Sequence, residues 1–575
     1  MKPTRPAAPA EPAPASGPTP QPASAPPARL AEPAATHAVE NQAEPLQDVN
    51  RYAANLALQE AVAREGAGWA HDELLAAGAE LGGREWIERG DAANRNPPVL
   101  HAFDRAGRRR DAFEFHPAWH ECLRWLKAKG VDTGAWADPR RGAHVRRAAL
   151  FQLFAEIEDG SLCPTTMTYG AVPPVARSPE LSREWMPLLL SREYDERFIP
   201  APRKRGVMMG MGMTEKQGGS DVRANSTRAE PVGGGWHRLV GHKWFLSATM
   251  CDAFLVTARA PGGLSCFLLP RFLPDGTRNA LHLVRAKDKL GDRSNAGAEV
   301  ELPGTLARLV GEEGRGIPTV IEMATYTRLD CANGSAGIMR GALSIALHHA
   351  RQRRAFGRLL AEQPLMRNVL ADLALEAEAH AALAMRVAGA FDRRGEPHED
   401  ALRRILTPVA KYWVTKRCPH FVAEAMEVLG GNGYVEDGPM ARLFRQSPLN
   451  AIWEGAGNVM CLDVVRATAR DRDALPALEA ELAAAAGRDP AYDRFVAALK
   501  AELARPGDVE AISRRLVERA ALAVQASLLL RHAPGFVAEA FCASRLAGDG
   551  GGTFGTLRPG ADLAAILRRA WPVEG

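Results

Sequence analysis

At 575 residues the chain is too long for one hydrophobic core, so about three packed domains and a tail are expected. With 46% hydrophobic and 24% charged residues and a formal net charge of +4, it reads as an ordinary soluble chain that neither demands nor excludes a polyanionic partner. No run of about 18 apolar residues occurs, no signal-like apolar stretch opens the chain, and the eight cysteines form neither C-x-x-C nor a Cys/His cluster. These features argue against a membrane span, a disulfide scaffold or a metal site, and for a cytoplasmic protein with reduced thiols.

Residues 1–45 are dominated by Pro and Ala and predict a disordered tail. An organellar transit peptide is the alternative, but only Arg5 and Arg29 precede Glu40, whereas such peptides are Arg-rich. Residues 46–204 predict an all-helical domain, with Leu150, Leu153, Phe154 and Ile157 at helical spacing. Pro164 and the hydroxyls of 160–168 interrupt that pattern and predict a loop, either lining a pocket or merely turning.

The stretch 211–222, M-G-M-T-E-K-Q-G-G-S-D-V, has the makings of a tight, backbone-rich loop. Gly218 and Gly219 allow close approach of another molecule, and Thr214, Ser220 and Asp221 offer short polar contacts; alone, the string is more often a solvated turn. It opens a compact antiparallel β domain over 205–310, predicted from short segments at 236–247, 254–258, 264–269, 281–284 and 298–302. A junction between helical and β domains is a favoured place for a ligand.

Helical periodicity returns near Gly316, where Ile338, Met339, Ala342, Leu343, Ala346 and Leu347 share one face. Further helices are predicted over 364–394 and 408–429, completing a bundle over 311–470. Gly430 to Gly433 should end one helix, and 450–461 forms a second irregular stretch. Residues 471–575 predict an additional helical domain with a helix over 509–530. It holds Arg505, Arg514, Arg515, Arg519, Arg531, Arg545, Arg568 and Arg569, with acidic residues nearly in balance, so a plain charged surface and an anion-binding one both remain open.

Four segments, in order, resemble the acyl-CoA dehydrogenase flavoproteins. Thr214 to Asp221 is similar to that family's flavin loop, with Lys216 and Gln217 in place of the usual Pro-containing pair. K-W-F-L-S ending at Ser247 resembles the second flavin strand, R-R-A-F-G from Arg353 the element that reaches a neighbouring subunit's FAD, and W-E-G at Trp453 the turn that holds the catalytic base. The resemblance implies a mainly α fold with a central β-barrel domain, a helical domain before it, a bundle after it and here an extra C-terminal helical domain. It further implies bound FAD, an acyl-CoA substrate and a homo-oligomer, expected to be a tetramer.

Carried over residue by residue, Glu454 is the base that takes the α-proton of the thioester. Thr327 occupies the helical position from which some relatives draw their base instead. The flavin would be held by Met211, Met213, Thr214, Gly218, Gly219, Ser220, Phe245, Leu246, Ser247, Ile452, Trp453, Gly455 and Asn458, with Arg353 and Phe356 serving a neighbour's cofactor. Ala456 replaces a usual hydroxyl residue and Glu427 a usual Gln, two departures that put tight FAD binding in doubt, and Trp453 would narrow the acyl pocket.

Other strings, among them S-L-C-P-T-T-M-T, T-R-L-D-C-A and I-W-E-G-A-G-N-V-M-C-L-D-V, resemble the branch of the family that serves the bacterial response to alkylating agents. That resemblance implies weak dehydrogenase activity and binding of double-stranded DNA through the C-terminal domain, with Arg466 as the best-matched contact and Arg514, Arg515 and Arg519 as further ones. An ordinary catabolic acyl-CoA dehydrogenase passing electrons to an electron-transfer flavoprotein is the alternative, and a flavin-bearing structural module without turnover the third reading.

Overall fold

The computed structural model describes residues 36–504, 507–550 and 552–572. The expected disordered tail lies outside the described residues except for 36–45, which carry no helix or strand; Arg505 also lies outside them. From Ala43 onward the chain forms one unit.

Its first part is built from α1 (Leu56–Arg64), α2 (His71–Gly82), α3 (Arg84–Arg95), α4 (Pro117–Ala128), α5 (Gly134–Ala137), α6 (Ala143–Ala155), α7 (Leu162–Ala176) and α8 (Pro179–Leu189). Local chemistry sets several starts: Asn55 accepts a hydrogen bond from the Leu58 N–H at 3.2 Å, and Pro117 and Pro179 sit in first turns, where a missing N–H costs nothing. The region is not all helical. An antiparallel hairpin, β1 (Val99–Phe103) and β2 (Arg109–Glu114), interrupts it. Asp104 closes its turn by accepting from the Ala106 and Arg108 N–H groups at 2.8 and 2.9 Å. Asp111 of β2 accepts from the Leu283 N–H at 2.9 Å, so the hairpin docks on the β domain. Its short, half-exposed strands lack the apolar alternation that announces a strand.

The expected loop at 160–168 becomes helix from Leu162, a second correction. Pro164 falls in the first turn, and the Thr165 and Thr168 hydroxyls donate back to the carbonyls of Ser161 and Pro164 at 3.0 and 2.7 Å, so neither breaks the helix.

The β domain comprises β3 (Met209–Gly212), β4 (Arg228–Gly233), β5 (Trp236–Ser247), β6 (Ala253–Ala260), β7 (Gly263–Pro270), β8 (His282–Ala286) and β9 (Gly297–Val310). β5 pairs with β9, β9 with β7, β7 with β6, β6 with β3 and β3 with β5, so the ladder closes on itself as a barrel. The β3–β6 pairing is parallel, against the antiparallel expectation. β3 and β4 were not legible as strands, since one has only four residues and the other is almost wholly exposed.

The bundle is organised around α9 (Gly316–Ala350), buried nearly all round from Tyr326 to Leu347. Small residues allow this: a Cβ on Gly337 would lie 2.4 Å from the Gln152 carbonyl oxygen of α6, so only glycine permits the approach. A hairpin, β10 (Arg354–Ala355) and β11 (Arg358–Leu359), leads to α10 (Pro364–Asp392) and α11 (Pro397–Val428). The helix predicted to start at Pro408 therefore starts eleven residues earlier, with Pro408 and Pro419 inside it. Burial of Leu402, Ile405, Leu406, Val409 and Ala410 on both sides of Pro408 outweighs the roughly 3 kcal/mol of an interior proline. After α12 (Gly431–Tyr434) and α13 (Pro439–Gln446), an irregular stretch leads into α14 (Gly457–Arg470). It ends at Ala456 rather than Cys461.

The C-terminal region adds α15 (Ala474–Ala483), α16 (Pro490–Leu503), α17 (Val509–His532), α18 (Gly535–Phe541) and α19 (Leu563–Ala570). It is welded to the bundle by ion pairs: Arg386 of α10 binds Glu399 of α11 at 2.9 and 3.0 Å and Glu481 of α15 at 3.1 and 3.0 Å, all buried.

Candidate active site and cofactor cleft

Glu454 sits in the short loop before α14 with φ +58°, followed by Gly455 at +100°. A left-handed glutamate is strained by about 1–3 kcal/mol, and three residues from two bundle helices hold it there. Thr327 of α9 donates to Glu454 Oε2 at 2.6 Å, and Arg328 donates to the Glu454 carbonyl at 3.0 Å. Lys411 of α11 donates to the Trp453 carbonyl at 2.8 Å and also to that of Gly455, so one ammonium grips both sides of the glutamate. Arg328 is itself fixed by Asp463 at 2.9 Å.

Burial pushes the Glu454 carboxyl above the usual carboxylate range, against the opposing pull of the Thr327 hydroxyl and the Arg328 and Lys411 charges. Burial also brings the Lys411 ammonium down to about 8. A half-buried carboxylate of strengthened basicity suits proton abstraction from carbon. It faces a cleft of about 360 Å³, open in part to solvent, whose walls include Leu162, Cys163 and Met167 of α7 and Trp453. Thus the segment that was to line a pocket or merely turn lines the cleft. The Trp453 indole donates to Asn450 Oδ1 at 2.8 Å and lines the same space.

α7 also joins the cleft to the barrel, since the Met209 N–H donates to Thr168 Oγ1 at 3.1 Å. Met211 of β3 is the register partner of Ser247 of β5, and the Trp244 N–H donates to the Thr214 carbonyl at 2.8 Å. The two flavin-like segments are therefore neighbours. Strand alternation puts Met211, Phe245 and Ser247 on one face and Leu246, fully buried, on the other, so Leu246 can offer a ligand only its backbone. Beneath the loop lies a buried pair, Lys243 Nζ to Glu215 Oε1 at 2.7 Å, and Glu215 also accepts from the Ser226 N–H at 2.7 Å. Together with the Glu215–Gly218 backbone bonds at 3.0 and 3.1 Å, this presents Gly219 and Ser220 outward.

These residues fit a flat aromatic cofactor. A Cβ on Gly219 would press on Thr214 at 3.2 Å, so the loop surface is bare backbone, while Phe245 and Ile452 are large apolar side chains left 45% and 63% exposed. Asn458 is exposed on the first turn of α14. Arg353 and Phe356 do not line the Glu454 cleft; Arg353 immediately precedes β10 and Phe356 lies in the β10–β11 turn, 98% exposed at φ +52°. Of the candidate DNA contacts, Arg466 and Arg514 are exposed on α14 and α17, whereas Arg515 and Arg519 approach Glu502 at 3.0 and 3.6 Å. Lys411, Asn450 and Arg328 had no signal as site residues, because sequence separation hides which helices face the loop. Among the described residues no helix is long and apolar enough to cross a membrane, and all eight cysteines are buried free thiols.

Three family profiles match consecutive parts of the chain. They are the adaptive response protein AidB N-terminal domain over residues 41–196, the acyl-CoA dehydrogenase middle domain over 210–304 and the acyl-CoA dehydrogenase C-terminal domain over 314–469. The putative acyl-CoA dehydrogenase AidB of Escherichia coli K12 is 48% identical over 518 residues, 90% of this chain and 95% of that protein. Among solved structures, Caenorhabditis elegans ACDH-11 in complex with C11-CoA aligns with a TM-score of 0.78 at 25% identity, over 93% of each chain. The apo-form of Bd2924 also aligns at 0.78, with 29% identity over 86% of this chain and 99% of that one. By profile, sequence and fold alike, the chain belongs to the acyl-CoA dehydrogenase family, in its AidB branch.

Proposed function

We propose that this protein is an FAD-dependent acyl thioester dehydrogenase of the AidB type, of low activity, that also binds double-stranded DNA in the adaptive response to alkylation. The observation that carries the dehydrogenase reading is Glu454, a raised-pKa carboxylate held between Thr327 and Lys411 on a cleft partly open to solvent. FAD, when bound, supplies the acceptor for the hydride that leaves the β-carbon. Glu454 takes the α-proton, leaving an α,β-unsaturated thioester, and its own N–H would polarise the thioester carbonyl. Met211, Met213, Thr214, Gly218, Gly219, Ser220, Phe245 and Ser247 would hold the ring system, with Ile452, Trp453, Gly455 and Asn458 across from them and the Leu246 backbone between. Arg353 and Phe356 would reach a neighbouring subunit's FAD in a homotetramer, which accounts for so exposed a phenylalanine.

The test is spectroscopic. A yellow protein whose flavin is bleached by an acyl-CoA, with the rate reduced about 10²–10⁴-fold in Glu454→Gln, supports the reading. A protein that no flavin reconstitutes ends it.

The DNA reading rests on the AidB resemblance and on exposed Arg466 and Arg514 on the packed pair α14 and α17. Phosphate neutralisation without base contacts predicts duplex affinity that falls steeply with salt, and a smaller salt slope for Arg466→Ala. Retardation insensitive to both would remove Arg466 from the interface. Under the alternative, a catabolic enzyme, an electron-transfer flavoprotein rather than DNA would be the partner in the cytoplasm.

A further inference from the structure

The cleft that Glu454 faces also carries polar groups that proton and hydride removal leave unused. Asn450 is 4% exposed and accepts the Trp453 indole N–H through Oδ1. Since an indole N–H only donates, the amide orientation is fixed, and its NH₂ meets no acceptor among the described residues. A methyl group built on Gly334 would stand 3.3 Å from that nitrogen, 3.3 Å from Phe151 and 3.5 Å from Asp159 Oδ1, so these groups converge on the space the glycine leaves open. Asp159 is 5% exposed and lines the same cleft. Burial, with the neighbouring Asp292 and Glu158 carboxylates and a hydrogen bond shared with Asp292, pushes its carboxyl above the usual range.

The remaining wall is electrically closed. Both oxygens of Asp330 are occupied by Arg147, at 2.5 and 2.7 Å, and one also by the Thr166 hydroxyl. That arginine is fully buried and gives a ligand carboxylate no free cation, while Glu454 would repel one. A plain alkyl end would strand the Asn450 NH₂ without a partner, whereas the Asp159 carboxyl already shares a hydrogen bond with Asp292. A hydroxyl can accept from the first and donate to the second.

We propose that Asn450 and Asp159, meeting over Gly334, form a subsite for an uncharged hydroxyl on the acyl portion, so that the thioester this protein takes is a hydroxyacyl thioester rather than an alkyl or dicarboxylic one. This rests on the acyl thioester reading above and sharpens it.

The test is calorimetric titration of the full-length flavin-loaded protein with 4-hydroxybutanoyl-, 5-hydroxypentanoyl- and 6-hydroxyhexanoyl-CoA, each beside the thioester with methyl in place of hydroxyl, and with glutaryl-CoA. At least one hydroxyacyl thioester should bind roughly ten- to a hundredfold tighter than its methyl isostere and than glutaryl-CoA. Asp159→Ala should erase that preference while alkyl thioesters still bind, and Gly334→Ala, whose methyl would press on the Asn450 amide nitrogen at 3.3 Å, should weaken the hydroxyacyl thioester selectively. Equal binding of every isosteric pair, or tightest binding of glutaryl-CoA, overturns the subsite and leaves the dehydrogenase reading standing. Failure of all the thioesters to bind overturns both.

Discussion

The Thr327 hydroxyl donates to Oε2 of Glu454, the proposed base, at 2.6 Å. That bond favours the ionised carboxylate and opposes the effect of burial. Thr327→Val should therefore raise the Glu454 pKa further and move the acidic limb of the kcat/KM profile to higher pH. An unmoved limb would show that the hydroxyl does not tune the base. Buried carboxyls elsewhere act on stability. Burial raises Glu156 and Asp292 to about 7 and Asp392 to about 6. The folded chain then keeps protons that the unfolded chain releases above its ordinary carboxylate pKa. Their stabilising contribution is full at low pH and is lost as pH rises through the folded values. Thermal unfolding from pH 5 to 8 should show Tm falling, with a shallower fall in Glu156→Gln; an equal fall in that variant would exclude Glu156 as a source.

At the scale of elements, the loop before α14 is shaped by helices distant in sequence. Lys411 gains no ion pair; it caps two carbonyls that a left-handed glutamate leaves facing α11. Lys411→Met should keep flavin binding yet reduce turnover by about 10²-fold, since misplacing a catalytic group by an ångström has that effect. Turnover equal to wild type would mean that Arg328 and Thr327 suffice. Elements with strong periodicity were legible: β5 and the start of α9 fall where the pattern puts them. The β1–β2 hairpin, the helix from Leu162 and the continuation of α11 through Pro408 were not. In each case a tertiary contact overrode a local signal, whether through docking of Asp111 on Leu283, back-bonding threonines or burial on both sides of a proline.

Across the whole molecule, Arg386 links α10, α11 and α15 through two buried carboxylates. Arg386→Met would leave Glu399 and Glu481 without this partner, and chemical denaturation should register a loss of about 3–5 kcal/mol. Arg515→Ala, which breaks only an exposed pair with Glu502, should stay within roughly 0.5 kcal/mol. Similar losses in both would mean that the buried network does not anchor the C-terminal helices.

Motif order alone determined the family and pointed to the loop at 214–221 and to Glu454 as the proposed base, because these depend on short strings whose chemistry is local. Only the tertiary structure decided what surrounds them. It turned Leu246 into the barrel, put Thr327 and Lys411 on the glutamate, engaged Arg515 and Arg519 with Glu502, and gathered Asn450, Asp159 and Gly334 on one wall. Those relations join residues dozens to hundreds of positions apart, and they are set by which helix faces pack together rather than by any spacing along the chain.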